Sequence, residues 1–261
     1  QFGEMGNSRL DYAGGGNPSP AYYQDLPSYF LADTNGPDYE GAYIAQENFV
    51  NDGQINWNRI YDANITNNLS NLNAAYVLYE DRVDDTQLTI NSAYNREINE
   101  NIKITSSLNY RNLVSDNFAE ISDMLGGYSY SNIDSFDNLD YNLLSPNSIV
   151  SDGDKFKYHY KMNAEEISLF SMINFSYNKL EFYLAGDLTN TTYQRDGIFE
   201  NEANAGNSSG KGEEIKFDGY GVKAGITYKF SGKHILDFNS AYLQKAPSIR
   251  NTFTNSRVNH N

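Results

Sequence analysis

The feature that most constrains the fold is an alternation of apolar and polar residues with a period of two. It is clearest in residues 219–230, where every second residue from Tyr220 to Phe230 is apolar and Gly, Lys or Thr stands between them. Successive side chains of a β-strand point to opposite faces, so this pattern predicts a strand with one apolar and one polar face. The same alternation on either side of short turns predicts three antiparallel hairpins, at residues 74–113, 157–193 and 214–246.

The lengths of the connections add a second constraint. Each hairpin turns within a few residues, at residues 98–101, 178–179 and 231–234. Long polar connections occupy residues 1–73, 114–156, 194–213 and 247–261. Transmembrane barrels have this rhythm because their periplasmic turns are short and their extracellular loops are long, whereas a soluble β-sandwich mixes loop lengths at both ends. The sequence therefore predicts an all-β fold whose antiparallel strands form part of a large transmembrane β-barrel, with short periplasmic turns and long extracellular loops.

The first 73 residues are predicted to be a long extracellular loop region. They contain several Gly and Pro clusters and show no sustained period of either kind. Within them, residues 55–65 favour a short helix with Trp57, Ile60 and Tyr61 on one side.

The strand predicted at residues 74–97 carries an acidic cluster. Glu80, Asp81, Asp84 and Asp85 cannot face hydrocarbon cheaply, so the first half of this strand is expected to stand above the membrane. The carboxylates of Asp81, Asp84 and Asp85 could instead hold calcium, which accepts several carboxylate and carbonyl oxygens. No acidic group has the spacing of an EF-hand, and a solvated anionic face is the alternative. The same two interpretations apply to Asp134, Asp137 and Asp140, and to Asp152 and Asp154.

Aromatic residues form much of the apolar surface. The chain has 22 Tyr and 14 Phe, and tyrosine is an amphipathic residue that strands favour. Seven aromatics recur near the ends of the predicted apolar faces: Tyr94, Tyr110, Phe175, Tyr177, Tyr228, Phe230 and Tyr242. This placement suits an aromatic girdle at the two membrane interfaces. Ordinary half-buried sheet aromatics are the alternative.

Charge and hydropathy narrow the function classes. A formal net charge of −15 opposes binding to nucleic acid phosphates. No segment approaches the ~18 apolar residues of a transmembrane helix, and the mean hydropathy is −0.65. A barrel strand, however, crosses the bilayer in about 9–11 residues and presents only every second side chain to lipid. The chain begins at Gln1 without a signal peptide, so a processed or truncated start is expected of an exported protein.

Motifs for catalysis are missing from the sequence. His159, His234 and His260 have no metal-ligand spacing, and there is neither a Gly-x-Ser-x-Gly elbow nor a phosphate-binding loop. We therefore predict no enzyme, no catalytic residue and no cofactor-binding residue. The Tyr, Asn, Asp and Trp of the loops could bind sugars, but these residues are equally common in any exposed loop.

Several short stretches resemble one protein family. They are residues 17–29 (NPSPAYYQDLPSY), 55–57 (INW), 117–120 (NFAE), 124–127 (MLGG), 153–158 (GDKFKY), 193–197 (YQRDG), 246–251 (APSIRN) and 255–257 (NSR). In this order they resemble a TonB-dependent outer-membrane receptor of the type with a carboxypeptidase-regulatory-like N-terminal domain. The resemblance covers nearly all of the chain, which would be a central barrel fragment.

The resemblance implies a function and partners. Such receptors are plugged barrels of about 22 strands that take up a nutrient such as an oligosaccharide, a peptide or a metal chelate. The implied partners are outer-membrane lipid, an energy-transducing TonB-type inner-membrane complex and, for some members, a surface lipoprotein. The plug, the energy-coupling segment and the closing strand are expected outside this sequence. Two alternatives stay open: a surface adhesin or complex subunit without active transport, and a soluble secreted β-rich carbohydrate-binding domain.

Overall fold

The chain folds into two compact units in a computed structural model that describes residues 8–14, 21–32, 34–53 and 55–259. The first unit contains residues 1–83, 117–159 and 199–208, and the second contains residues 84–116, 160–198 and 209–261. Strands hold 51% of the residues and helices hold 17%, so the prediction of an all-β, mostly antiparallel fold is confirmed.

The described residues form ten strands and four α-helices, which are numbered here in chain order. The strands are β1 (Ser8–Tyr12), β2 (Tyr76–Asn99), β3 (Ile102–Asp123), β4 (Tyr130–Ser131), β5 (Ile149–Val150), β6 (Lys155–Tyr177), β7 (Leu180–Gly197), β8 (Gly210–Lys211), β9 (Ile215–Ser231) and β10 (His234–Gln244). The helices are α1 (Pro27–Leu31), α2 (Tyr39–Asn51), α3 (Trp57–Leu69) and α4 (Ile249–Thr252). Single 3₁₀ turns occur at Tyr23–Asp25 and Glu202–Asn204.

The second unit is built on six strands in the order β2-β3-β6-β7-β9-β10, with β8 paired to β7. Its three hairpins turn between β2 and β3, between β6 and β7, and between β9 and β10, where the sequence predicts them. Within the part of the chain that the structure describes, β2 and β10 are not paired with each other, so the sheet does not close.

The register of these strands places residues of like polarity opposite one another. Leu169 faces Leu188 and Phe175 faces Phe182 across β6 and β7. The same holds between β7 and β9, where Leu180 pairs with Tyr228. Since the side-chain period of a strand is two, this register puts the apolar residues of neighbouring strands on one face.

The first unit has an enclosed core instead. Its strands follow the order β1-β2-β3-β6, and the short pair β4-β5 forms a second sheet. One cluster of buried side chains lies around Val77, Ile121 and Phe156, each at most 1% exposed. A second, smaller cluster joins Ile60 of α3 to Leu78 of β2 and to Leu125, which lies in the turn after β3. This unit therefore buries apolar surface as a water-soluble domain does.

The structure differs from the sequence prediction in residues 1–73, which contain β1 and three helices. The helix predicted at residues 55–65 is present as α3, but α1 and α2 were not predicted. Side chains cap the longer two helices, since Asp38 accepts from the Gly41 N–H at 2.8 Å and Asn56 from the Arg59 N–H at 3.1 Å. Few apolar residues of these helices are buried, so apolar residues do not recur along their sequences with the period of a helix.

Strand β3 also runs further than predicted, to Asp123 instead of residue 113. Its last ten residues include Ser115, Asp116 and Asn117, so the alternation of apolar and polar residues is lost there. Buried Phe118 and Ile121 hold this end of the strand in the first unit. The predicted loop at residues 114–156 therefore begins as a strand and includes β4 and β5.

Candidate functional site

The most unusual surface of the molecule is one face of the second unit's sheet, called here the apolar face. Its side chains alternate along β2, β3, β6, β7, β9 and β10 and are largely exposed: Leu88, Ile90, Tyr94, Ile98, Leu108, Ile167, Leu169, Ile173, Tyr177, Leu184, Leu188, Tyr220, Val222, Ile226, Tyr228, Phe230, Leu236, Phe238 and Tyr242. Leu184, Leu188 and Phe238 are 56%, 62% and 65% exposed. Soluble monomers rarely expose contiguous apolar patches beyond a few hundred Å².

The opposite face of the same strands is mainly polar, and its side chains bind one another. The Thr227 hydroxyl donates to Asp237 at 2.7 Å, and the Tyr183 hydroxyl donates to Asn239 at 3.0 Å. Thr105 donates to Asn95 at 2.9 Å, and Lys229 pairs with Glu181. The sheet therefore shows its polar side chains paired and its apolar side chains uncovered.

Aromatic side chains cluster at the two ends of the apolar face. Near the hairpin turns, Phe175 and Phe182 stack with their ring centroids 4.5 Å apart, and Tyr228 meets Phe230 edge to face at 4.7 Å. At the other end of β9, Tyr220 lies 6.0 Å from Tyr242. By strand parity the predicted girdle residues Tyr94, Tyr110 and Tyr177 lie on the same face.

Stretches of sequence that carry the family resemblance meet in the second unit. Tyr193 and Arg195 belong to residues 193–197, and the Tyr193 hydroxyl donates to the Pro247 carbonyl at 3.1 Å. Arg195 is 2% exposed and donates to the backbone carbonyls of Ser256 at 2.7 Å and Arg257 at 3.2 Å. One strand end thus anchors the two stretches at residues 246–251 and 255–257.

Other such stretches meet in the first unit. Phe118 is 3% exposed, and the Lys155 ammonium lies 3.6 Å from its ring centroid. The ring of His159 lies 5.6 Å from the Phe118 ring and 5.6 Å from the Phe199 ring. Residues 117–120, 124–127 and 153–158 all contribute to the larger core cluster. Their common role in this unit is packing, and His159 lies among aromatic rings.

The acidic residues considered for calcium are not gathered into a metal site. Asp81 pairs with Arg9 at 2.8 Å and accepts from the Tyr158 hydroxyl at 2.7 Å. Asp84 and Asp85 are exposed. Among the described residues, no three His, Cys, Asp or Glu side chains are placed to hold a metal ion, so the calcium prediction receives no geometric support.

Asp140 differs from the other acidic residues in its burial. It is 6% exposed, and its Oδ2 accepts from the Asn147 N–H at 2.7 Å. Its Oδ1 is buried and has no hydrogen-bond partner in the described parts of the chain. His234, at the start of β10, is exposed. His260 lies outside the described residues, as do residues 15–20, which hold part of the glycine-rich segment and of the first resemblance stretch.

The first unit also holds a groove that the sequence did not predict. It has a volume of about 640 Å³ and lies among α1, α2, α3 and the start of β2. The lining includes Phe30, Phe49, Asp25, Arg59 and Tyr76. These residues are up to 51 positions apart (76 − 25), so only the packing of the helices brings them together.

No helix in the described residues is long and apolar enough to cross a membrane. Comparison with protein-family models, curated proteins and solved structures found no match for this chain.

Proposed function

We propose that the apolar face of the second unit contacts the lipid of a bacterial outer membrane, as part of a transmembrane barrel that takes up a nutrient. The observation that carries the proposal is the exposure of this face beside a polar face whose side chains are paired. Burial of apolar surface is worth about 25 cal/mol per Å², so a face of this extent left in water would cost many kcal/mol. Lipid removes that cost.

The dimensions of the face support the membrane part of the proposal. The apolar residues of β9 extend from Tyr220 to Phe230, and a barrel strand crosses a bilayer in about 9–11 residues. Aromatic pairs lie at both ends of this stretch, where the two interfaces of the bilayer would be. In such a barrel every strand is paired with a neighbour, so β2 and β10 would pair with further strands of the full protein.

The soluble alternative fits these observations less well. A soluble antiparallel sheet with one apolar face packs that face against helices or a second sheet. In the second unit the apolar side chains stay exposed along six strands. The first unit, in contrast, covers its apolar side chains with α3 and the β4-β5 pair.

Uptake is the part of the proposal that depends on the family resemblance. The order of the resembling stretches supports a TonB-dependent receptor, whose transport is driven by an inner-membrane energy complex. Two of these stretches pack on a third through Tyr193 and Arg195, as expected if they form one structural unit. The cargo would be an oligosaccharide, a peptide or a metal chelate.

Cysteine labelling in native outer membranes tests the membrane part. The chain has no cysteine, so Leu184→Cys introduces a single thiol on the apolar face. We expect a charged, water-soluble maleimide to leave it unlabelled until the membranes are dissolved and the protein is denatured. Tyr128→Cys is the matched control, because Tyr128 is 82% exposed in the first unit and should be labelled throughout. Equal labelling of both thiols in intact membranes would contradict the proposal.

Uptake is tested separately in cells. Candidate oligosaccharides, peptides and metal chelates are supplied to cells with and without the full-length protein, and accumulation is measured. We expect one class to require both the protein and the inner-membrane energy complex. Accumulation that persists without that complex would refute active transport and favour a passive binding role, while the cysteine result would stand.

A further inference from the structure

The chain after β10 folds back over the polar face of the second unit's sheet. Residues 245–259, called here the returning segment, begin directly after Gln244, the last residue of β10. Gly219 of β9 makes room for this reversal, because a Cβ there would lie 3.1 Å from the Gln244 carbonyl oxygen and 3.7 Å from the Lys245 Cα. Gly219 precedes Tyr220 of the apolar face, so the side that it opens is the polar one.

Arg195 of β7 anchors the far end of the returning segment. It is 2% exposed, and it donates to the Ser256 carbonyl at 2.7 Å and to the Arg257 carbonyl at 3.2 Å. It also donates to the Asn259 Oδ1 at 2.6 Å. By strand parity Arg195 lies on the polar face together with Tyr183. Because hydrogen bonds from a charged donor are stronger than neutral ones, this buried guanidinium fixes the segment on that face.

Two tyrosines hold further points of the returning segment. The Tyr193 hydroxyl of β7 donates to the Pro247 carbonyl at 3.1 Å. The Tyr160 hydroxyl of β6 donates to the Ser256 hydroxyl at 3.1 Å. The segment therefore crosses from the edge strand β10 over β9 and β7 to β6, and it does not extend away from the sheet.

The polar face is buried where the returning segment lies. Met162 of β6 and Thr191 of β7 are 9% and 3% exposed. The space that remains between segment and sheet is a cavity of about 320 Å³. Its lining includes Glu166 and Thr189 of the sheet and Lys245 of the segment.

We infer that the returning segment narrows the mouth of the barrel at the end away from the hairpin turns, and that it excludes large solutes there. The inference rests on the proposed function, because the polar face lines an interior only if the six strands belong to a barrel. A segment anchored on that face then lies inside the barrel. Arg195 is a positioning residue, which acts through the segment that it holds.

Ordinary packing of a surface loop is the alternative. It would account for the hydrogen bonds of Tyr160, Tyr193 and Arg195, but it predicts that small and large solutes reach the polar face equally well. A constriction predicts a size limit, and a size limit that depends on the anchoring side chains. The two interpretations therefore differ in a measurable property.

Thiol labelling in isolated outer membranes measures the size limit. Thr189→Cys, in the full-length protein, places a thiol on the cavity wall in a chain that has no other cysteine. We expect a small charged maleimide to label this thiol, and a maleimide that carries a long polyethylene glycol chain to leave it unlabelled. Tyr128→Cys is the control for reagent activity, because Tyr128 is 82% exposed in the first unit and should react with both maleimides.

Loosening the returning segment should remove the size limit. Arg195→Met deletes the charged donor, and the large maleimide should then label Thr189→Cys at least about tenfold faster than before. Tyr193→Phe is a milder variant and should act in the same direction. Tyr183→Phe is its matched control, since it removes the same hydroxyl from the same face of β7, where the partner is Asn239 at 3.0 Å. It should leave the size limit unchanged.

Two results would overturn the inference. One is labelling of Thr189→Cys by the large maleimide as readily as Tyr128→Cys in otherwise unaltered protein. The other is a size limit that neither Arg195→Met nor Tyr193→Phe changes. Because Tyr193→Phe removes a single oxygen atom, its comparison with Tyr183→Phe decides the matter if Arg195→Met does not fold.

Leu184→Cys on the apolar face separates this inference from the proposed function. If the small charged maleimide fails to label Leu184→Cys while the large one reaches Thr189→Cys, the barrel stands and the constriction is refuted. If Leu184→Cys is labelled like Tyr128→Cys, the barrel is refuted and the constriction with it.

Discussion

At the scale of single residues, Asn64 secures the start of the sheet in the first unit. It is fully buried on α3, and its side-chain oxygen accepts from the backbone N–H groups of Ala75 at 2.8 Å and Tyr76 at 3.0 Å. Its NH₂ group lies 2.8 Å from the Tyr76 carbonyl, 3.0 Å from that of Met124 and 3.1 Å from that of Leu125. One side chain thus satisfies backbone groups of β2 and of the chain that follows β3.

Replacing Asn64 with alanine should lower the free energy of unfolding of the first unit by about 3 kcal/mol, because buried backbone groups lose their partners. Denaturant unfolding followed by Trp57 fluorescence measures this change. Asn58→Ala is the matched control, since Asn58 is exposed on the same helix and should change stability by no more than about 0.5 kcal/mol. Equal effects of the two substitutions would show that Asn64 has no special structural role.

Tyr130 predicts an alkaline dependence of stability. It is 3% exposed, and burial, together with the nearby Asp11 carboxylate that accepts its hydroxyl at 3.0 Å, raises the pKa of its phenol above the ordinary value of 10.0. The folded state therefore holds this proton more tightly than the unfolded state. The resulting stability is complete below about pH 10 and is lost as the pH rises above it.

The measurement is the free energy of unfolding between about pH 8 and pH 11. Above pH 10 it should fall by up to about 1.4 kcal/mol per pH unit on account of Tyr130. Tyr130→Phe should be less stable at pH 8, but its free energy of unfolding should no longer show the fall with pH that Tyr130 causes. Tyr128→Phe, at a site 82% exposed, should keep the slope of the unaltered protein. A slope unchanged by Tyr130→Phe would contradict the assignment.

At the scale of elements, the two faces of the second unit's sheet leave different amounts of space around their glycines. On the polar face Gly225 leaves room for the Tyr183 ring to reach Asn239, and a Cβ at this glycine would collide with both side chains. On the apolar face, a Cβ at Gly186 would meet only the Gly221 carbonyl oxygen, at 3.8 Å. The two glycines therefore have different structural roles.

Gly225→Ala should destabilise the folded protein in detergent by about 1–3 kcal/mol, because Tyr183 must give up its hydrogen bond. Gly186→Ala adds the same methyl group without a collision and should leave stability unchanged or slightly higher. The midpoint of thermal unfolding compares the two variants. Equal losses would mean that glycine is required for the strand backbone itself and that the Tyr183 contact is incidental.

At the scale of the whole molecule, the two units differ in whether their apolar side chains are buried within the protein. The first unit encloses Val77, Ile121 and Phe156. The second unit leaves its apolar face uncovered. The two units should therefore respond differently when a nonpolar environment is withdrawn.

Lowering the detergent concentration below its critical micelle value should expose the second unit to protease before the first. Cleavage sites, mapped by mass spectrometry, should appear first at residues 160–198 and 209–245, and only later at residues 57–83. Protein kept in detergent is the control. Resistance of both units in detergent-free buffer would contradict a lipid-facing surface and would favour a soluble β-rich domain.

The sequence by itself determined the strands, the tight turns and the two faces of the second unit. These features depend on a period of two within each strand, which is a local property, so residues such as Tyr220 and Leu236 could be assigned to a face directly. The seven girdle candidates are likewise visible as aromatics near the ends of that pattern.

Only the tertiary structure decided the rest. Helices α1 and α2, the extension of β3 to Asp123, the anchoring by Arg195 and the groove all depend on contacts between residues far apart in the chain. Asn64 is the clearest case, because nothing in its neighbourhood distinguishes it from the other asparagines of α3 until the sheet that it binds is in place. The alternation of side chains and the residues of a turn are local properties of the sequence. Burial and hydrogen-bond pairing depend on which elements pack together.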